Sequence, residues 1–427
     1  MTMLEHTERF DMKRPPMRMH LRPLIWALAL PGTLQHLNKL QKIRMEGIKP
    51  PYLLLCNHNA FMDFTVATKA TFPHRVNYVV AIDGYLKREW LLRLIGCICK
   101  RKFTKDIQLI RQLRRVIERG DIAAIYPEAR YSLCGTTAVL PASIGKLAKL
   151  LKVPVVTLMC HGHHVNSPFW NTKNRGLKGT EAEMTCLFTK EELETAAHEE
   201  VTRAIEAQFR YDDFRWQREK GIPIKVKYRA EGLYKVLYQC PCCGTEYRMS
   251  SAGTRLTCDS CGAAWELTEL GSLEQTAGEK ASFTHIPDWY EWERANVRQE
   301  VETGVYRFQS LVRINALPNA KGFLDLGEGA LTHDMTGFTL TGNDGEADFT
   351  VHIPAQELYS CHIEYEYLGK YGDCVDLNTD RDSLYLHPLA PAYSVTKLAL
   401  ATEELYAFYQ AQWEAERKQR RSNKEKQ

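Results

Sequence analysis

Short apolar runs and segments of helical spacing alternate through the first half of the chain. Pro51-Tyr52-Leu53-Leu54-Leu55-Cys56, Val76 to Ile82, Ile122-Ala123-Ala124-Ile125-Tyr126 and Val153 to Met159 are strand-length and apolar, as buried strands require. Between them, Arg88 to Leu94, Asp106 to Glu118 and Gly145 to Leu151 carry helical spacing. Such alternation predicts an α/β layer with a mainly parallel sheet. A charged helical stretch covers Thr189 to Phe214, cysteine and glycine dominate from Cys240 to Gly262, and a polar linker runs from Gln275 to Lys280. A helix is predicted around Trp289 to Thr303. From Tyr306 the pattern turns to short β runs: 322–326, 337–341, 349–353, 361–365, 374–377 and 383–386. Val395, Leu398, Thr402, Leu405 and Tyr409 then recur at helical steps. That order predicts a small β barrel or sandwich capped by a helix, and the tail beyond Trp413 reads as a solvated basic end.

With 427 residues, the chain has room for about three domains. Five segments are expected: 1–50, an N-terminal amphipathic membrane-interface segment; 51–234, the α/β domain; 235–271, a cysteine module; 272–305, linker and helix; and 306–427, the β-rich domain. The net charge of +4 is too small for a chain that coats nucleic acid, and no specific nucleic-acid partner is expected. No apolar run is long enough to span a bilayer. Leu24 to Leu30, with Trp26 among leucines and Arg and Lys residues on either side, has instead the make-up of an interfacial helix that inserts apolar side chains and attracts anionic lipid. A buried N-terminal helix is the competing reading. A peripheral place on the cytoplasmic face of a membrane is expected.

Five of the 13 cysteines lie between Cys240 and Cys261, and the others are scattered. An odd total and scattered thiols suit a reducing compartment rather than a disulfide framework. Cys240, Cys243, Cys258 and Cys261 form two C-x2-C knuckles, each followed by glycine, as in a zinc ribbon. Four such thiolates fill a tetrahedral Zn²⁺ shell and leave no open position, so a structural zinc is expected. Cys242 is a spare thiol. His161-Gly162-His163-His164 reads as exposed loop or pocket rim rather than as a second metal site.

Chemistry is suggested at the ends of the first-half strands, where α/β proteins place their sites. Asn57-His58-Asn59-Ala60-Phe61-Met62-Asp63 puts a carboxylate within reach of an imidazole across a strand-to-helix turn. A histidine acting as general base needs such a partner to fix its tautomer. Tyr126-Pro127-Glu128-Ala129-Arg130-Tyr131-Ser132 offers Glu128 for hydroxyls and Arg130 for phosphate. Gly96 to Lys102 ends in consecutive cations next to an apolar stretch, a candidate anion site. Each block taken singly is more commonly a helix-capping or surface pair, a Pro-initiated turn with an ion pair, or a solvated helix face.

Together, in this order, the blocks resemble the glycerolipid acyltransferase family typified by 1-acylglycerol-3-phosphate (lysophosphatidic acid) acyltransferases, with N-H-x4-D at Asn57–Asp63, a second block at Gly96–Lys102, an F-P-E-G-x-x-S-like block at Tyr126–Ser132 and Val153-Pro154-Val155. The resemblance covers about residues 20–230. It implies transfer of a fatty acyl group from an acyl thioester, on acyl-carrier protein or coenzyme A, to a lysophospholipid hydroxyl at a membrane surface. It implies His58 as base, Asp63 as its orienting partner, Glu128 against the glycerol, and Lys102 and Arg101 on the phosphate, with Gly96 opening the second block. The chain departs from the family pattern at Tyr126, Ala129 and Lys102, and its Arg130 stands one place before the usual position. The C-terminal region is similar in element order to pleckstrin-homology-like domains. The alternative is a zinc-ribbon adaptor, or a nucleic-acid-associated protein, with a non-catalytic acyltransferase-like domain.

Overall fold

The computed structural model describes residues 3–171, 173–279, 283–367, 372–390 and 394–425. Lys280, at the end of the expected linker, and Lys426, in the basic tail, lie outside them.

The first half folds around a seven-stranded sheet. Its strands are β1 (Leu37–Ile43), β2 (Leu53–Cys56), β3 (Val76–Ala81), β4 (Ile98–Lys100), β5 (Ile122–Ile125), β6 (Val155–His161) and β7 (Thr180–Phe188). Their order is β1-β7-β6-β2-β5-β3-β4. β6, β2, β5, β3 and β4 pair in parallel. β7 runs antiparallel to β6 and takes β1 as a parallel neighbour. The central strands β2 and β5 are buried along their whole length, as continuous apolar runs covered on both faces must be. The mainly parallel α/β layer is therefore present. The sheet reaches back to Leu37, ahead of the expected start at residue 51. β1 was not legible because its apolar residues Leu37, Leu40 and Ile43 recur every third position rather than alternating, and β7 because Glu181 and Glu183 interrupt its buried positions.

Ahead of β1 lies a helix, Arg22–His36. Ile25, Ala29 and Thr33 turn inward, whereas Leu24, Leu28 and Leu34 stand exposed. Its Trp26 packs edge-on against Phe72 at 4.8 Å, at the end of the helix Met62–Thr71. The helix thus has two apolar faces, one used within the protein and one not.

The cysteine module is a four-stranded antiparallel sheet, β8 (Met249–Ala252), β9 (Arg255–Cys258), β10 (Ala264–Leu267) and β11 (Leu273–Ala277), in the order β11-β10-β9-β8. β11 occupies part of the stretch that reads as linker. Trp265 on β10 is fully buried and meets Trp289, at 4.8 Å, on the helix Ile286–Glu302. This small module shares its core with the rest of the chain.

The C-terminal region is a second seven-stranded sheet: β12 (Arg307–Ala316), β13 (Leu324–Asp334), β14 (Gly337–Asn343), β15 (Asp348–Pro354), β16 (His362–Glu364), β17 (Cys374–Asn378) and β18 (Ser383–Pro388). All its pairings are antiparallel, in the order β15-β14-β13-β12-β18-β17-β16. Among the described residues β15 and β16 are unpaired edges, so hydrogen bonding does not close the expected barrel. The helix Val395–Glu425 lies against β16, β17 and the helix Ile286–Glu302. Its first turns are buried, and residues 411–420 are exposed.

The two large sheets are joined. Leu317, Ala320, Cys374 and Tyr385 belong to the same apolar cluster as Leu54, Val156 and Tyr85. The N-terminal stretch clasps the junction: Arg9 pairs with Asp382 at 3.1 Å, and the Asn319 side chain donates to the Glu8 carbonyl at 2.6 Å.

Candidate active site

The C-terminal end of β2 carries the first block. Asn57 staples it to β6: its amide donates to the Cys160 carbonyl at 2.9 Å and accepts from the Cys160 N–H at 2.8 Å. His58 follows, with its ring Nδ1 3.2 Å from Asp63 Oδ2. Asp63 sits in the first turn of the helix Met62–Thr71, and its Oδ2 also accepts from the N–H groups of Asn59, at 2.6 Å, and Ala60, at 2.9 Å. The turn therefore curls around one carboxylate oxygen, which is what a spacing of four intervening residues permits.

The other oxygen, Oδ1, meets Nδ1 of His163. His163 lies just past β6 and is fully buried. Neither it nor His164 is an exposed loop or rim residue: Asp213 accepts the N–H groups of Gly162 and His164 at 3.0 and 2.8 Å and draws this stretch inward. Asp63 is thus shared by two imidazoles. Burial pushes its carboxyl up, but hydrogen bonds from His163 and His58 outweigh this and bring it to about 2. It is a fixed anion at any working pH. Asp63, His163 and Cys160 lie within 4.8 Å of one another. Burial keeps the Cys160 thiol protonated, however, and both Asp63 oxygens already hold hydrogen bonds, so this trio is no ready metal site. His163 was missed because nothing in a His-rich stretch after a strand marks which ring turns inward.

With Nδ1 committed to Asp63, Nε2 of His58 is the nitrogen left for chemistry. The His58 side chain keeps 23% of its surface exposed, against 1% for Asp63. Its ring lies between those of Tyr126 and Tyr131, each at 4.3 Å, so the imidazole is held in a slot with one edge open.

Glu128 is fully buried. Its Oε1 accepts the His58 N–H at 3.0 Å and its Oε2 the Ala138 N–H at 2.8 Å. In place of the expected contact with glycerol, this carboxyl anchors the backbone of the histidine. Burial pushes it up to about 8. Arg130 is also turned away from a phosphate role: its guanidinium is buried and pairs with Glu403, at 2.6 Å, on the C-terminal helix. Ser360 and Arg294 bind the same carboxylate. Arg101 is buried and donates to the Pro318 carbonyl at 3.2 Å. Lys102 lies 3.3 Å from Asp83 and 3.6 Å from Asp376 of β17. Gly96 takes a φ of +81°, and a Cβ there would collide with the Met17 carbonyl and the Asn77 side chain. Its glycine is required by packing.

The structure thus brings His58, Asp63 and Glu128 together, and directs Arg101, Lys102 and Arg130 toward the C-terminal region. Residues 33–161, which hold β1 through β6 with His58 and Asp63, match the family model described as Acyltransferase. Among solved structures the chain is similar to the 1-acyl-sn-glycerophosphate acyltransferase PlsC from Thermotoga maritima, with 14% identity over 44% of this chain and 76% of that chain and a TM-score of 0.36. A search of curated proteins finds no match.

The four sulfurs of Cys240, Cys243, Cys258 and Cys261 lie within 4.8 Å of one another, a set able to hold a metal ion. Cys240 to Cys261 is 3.7 Å and Cys243 to Cys258 is 3.8 Å, the edge of about 3.8 Å expected of a tetrahedron with Zn–S bonds of about 2.3 Å. Each knuckle is closed alike: Gly244 N–H donates to the Cys240 carbonyl, and Gly262 N–H to that of Cys258. The Cys242 thiol donates to the Glu279 carbonyl at 3.1 Å instead.

Proposed function

We propose that the protein transfers a fatty acyl group from an acyl thioester to the hydroxyl of a lysolipid acceptor, with His58 as general base. The observation that carries this reading is the His58–Asp63 pair, with its imidazole edge open, at the strand ends of a domain matching the acyltransferase family. His58 Nε2 takes the acceptor's proton, the alkoxide oxygen attacks the thioester carbonyl, and the tetrahedral intermediate expels the thiolate. The imidazolium then returns its proton to the departing sulfur. Asp63 holds the tautomer and stabilises the imidazolium, while Glu128 and Asn57 position the backbone from which His58 projects.

The substrates are brought from a membrane surface in this reading. Leu24, Leu28 and Leu34 on one helix, and Phe61 and Phe72 at the two ends of the next, are exposed next to the catalytic turn; Leu28 is 74% and Phe61 73% exposed. Apolar side chains displayed on packed neighbouring helices suit insertion into the headgroup layer. No helix among the described residues is long and apolar enough to cross a membrane. The four cysteines would hold a structural Zn²⁺ that ties the two knuckles of the cysteine module together.

Purified protein is tested with an acyl-coenzyme A or acyl-carrier-protein donor and a set of lysolipids, against the folded His58→Ala variant. Acyl transfer that is undiminished in the variant removes the assignment.

A further inference from the structure

The surroundings of Lys102, beyond the histidine, are built differently from a phosphate site. Tyr131, whose ring lies 4.3 Å from that of His58, is also 5.7 Å from Phe169, which in turn lies 6.2 Å from His362 and 5.3 Å from Tyr365. Beyond the histidine, then, these ring contacts lead to the C-terminal sheet. In its β16–β17 ladder, His362 stands opposite Asp376, and Glu364 shares their face two residues on. Lys102, the cation expected to bind phosphate, is flanked there by Asp83 and Asp376, and Glu364 is close enough to act on it electrostatically. Lys102, Asp83 and Glu364 keep 13%, 16% and 19% of their side-chain surface exposed, so the group opens outward. Asp376 Oδ1 and His362 Nδ1 are buried without a hydrogen-bond partner. Three carboxyl groups, Asp83, Asp376 and Glu364, stand around Lys102, with His362 Nε2 2.7 Å from Glu364, and Arg101 and Arg130 are directed to Pro318 and Glu403.

We propose that the C-terminal sheet completes the acceptor pocket and selects a lysolipid whose headgroup donates hydrogen bonds without net negative charge, an ammonium or a polyol, in preference to a phosphomonoester. The inference rests on the acyl-transfer reading and narrows its substrate. A phosphomonoester carries about two negative charges near pH 7 and would meet Asp83, Asp376 and Glu364 across a partly desolvated cleft, where like charges repel most. A donor-rich headgroup meets them as acceptors and finds Asp376 Oδ1 waiting.

The test offers the full-length protein, with one acyl thioester, three acceptors in parallel: 1-acylglycerol-3-phosphate, lysophosphatidylethanolamine and monoacylglycerol. The expected result is kcat/KM at least about tenfold higher for the ethanolamine or glycerol acceptor than for the phosphomonoester. A higher value for the ethanolamine acceptor identifies an ammonium subsite, and one for monoacylglycerol a polyol subsite. Asp376→Asn, if folded, narrows the gap by raising the phosphomonoester value. Preference for the phosphomonoester in the unsubstituted protein overturns the proposal and leaves acyl transfer standing. Absence of transfer to all three overturns both.

Discussion

The histidine site and the cysteine site solve the same problem, holding reactive side chains at fixed separation, by opposite routes. Cys240, Cys243, Cys258 and Cys261 come from two tight knuckles, one ahead of β8 and one between β9 and β10, and each knuckle sets its own geometry through a local N–H to carbonyl bond. The His58 site draws on the ends of β2 and β6, on the loop after β5, and on Tyr131 and its neighbours beneath the C-terminal sheet. A site made from local turns is written in residue spacing. One made from strand ends depends on the order in which the sheet is assembled, so a change far along the chain can disturb it.

The most direct way to sharpen this comparison is to remove each centre. His58→Ala is expected to lower kcat by about 10²–10⁴-fold, the usual worth of a general base, with little change in the thermal midpoint. Stripping the metal with a chelator, or replacing Cys258 with Ser, acts in the reverse sense. Structural zinc contributes about 10 kcal/mol or more to the fold that holds it, so residues 240–277 become protease-sensitive and the protein melts earlier. Elemental analysis that finds no metal in the folded protein breaks this half of the comparison.

His163→Ala is a milder intervention. The ring touches no substrate and acts through Asp63, so kcat falls about 10- to 100-fold, as for other orienting partners, while KM holds. Loss of its hydrogen bond also lets the Asp63 carboxyl rise, which moves acid unfolding to higher pH. His163→Asn, which keeps a donor, restores part of both. Normal kcat in His163→Ala shows that the second imidazole is only packing.

The exposed apolar helices give a smaller effect. Leu28→Asp combined with Phe61→Asp is expected to weaken binding to anionic vesicles about tenfold, while transfer to acceptors in detergent is retained. Equal vesicle binding by the double variant removes the membrane face.

The pH dependence of stability is the finest probe, because two carboxyls of one site pull in opposite directions. Asp63 titrates near 2 when folded, below its ordinary 3.8. Its contribution is present above 3.8 and is lost as pH falls through about 2. Glu128, raised by burial from 4.5 to about 8, keeps its proton when folded after the unfolded chain has released it. Its effect favours the fold below about 4.5 and is lost as pH rises through about 8. Denaturation midpoints measured from pH 5 to 9 are expected to decline, and the decline to flatten in Glu128→Gln. An unchanged slope in that variant shows that Glu128 is ionised in the folded chain.

Legibility in the sequence followed the same division. The four cysteines, the N-H-x4-D turn and the strands β2, β3, β5 and β6 could be read because each is encoded within a few adjacent residues. The parallel layer followed from their alternation with helices. β1 escaped because its apolar residues recur every third position at an edge of the sheet, and β7 because Glu181 and Glu183 interrupt its buried positions. The family pattern pointed Glu128, Arg130 and Lys102 at substrate. The structure gives them backbone amides, Glu403 and Asp376 as partners. Glu403 and Asp376 lie more than two hundred residues further along the chain, and no local spacing announces them.

The sequence by itself determined the chemistry available: an imidazole beside a carboxylate, a metal-ready set of thiols, and cations near a strand end. Which of these side chains remain open was decided only in three dimensions. Burial and ion pairing depend on what the distant sheet and the C-terminal helix bring against them. A charge has the same identity in any fold, but its use depends on whether an opposite charge already lies within hydrogen-bonding distance.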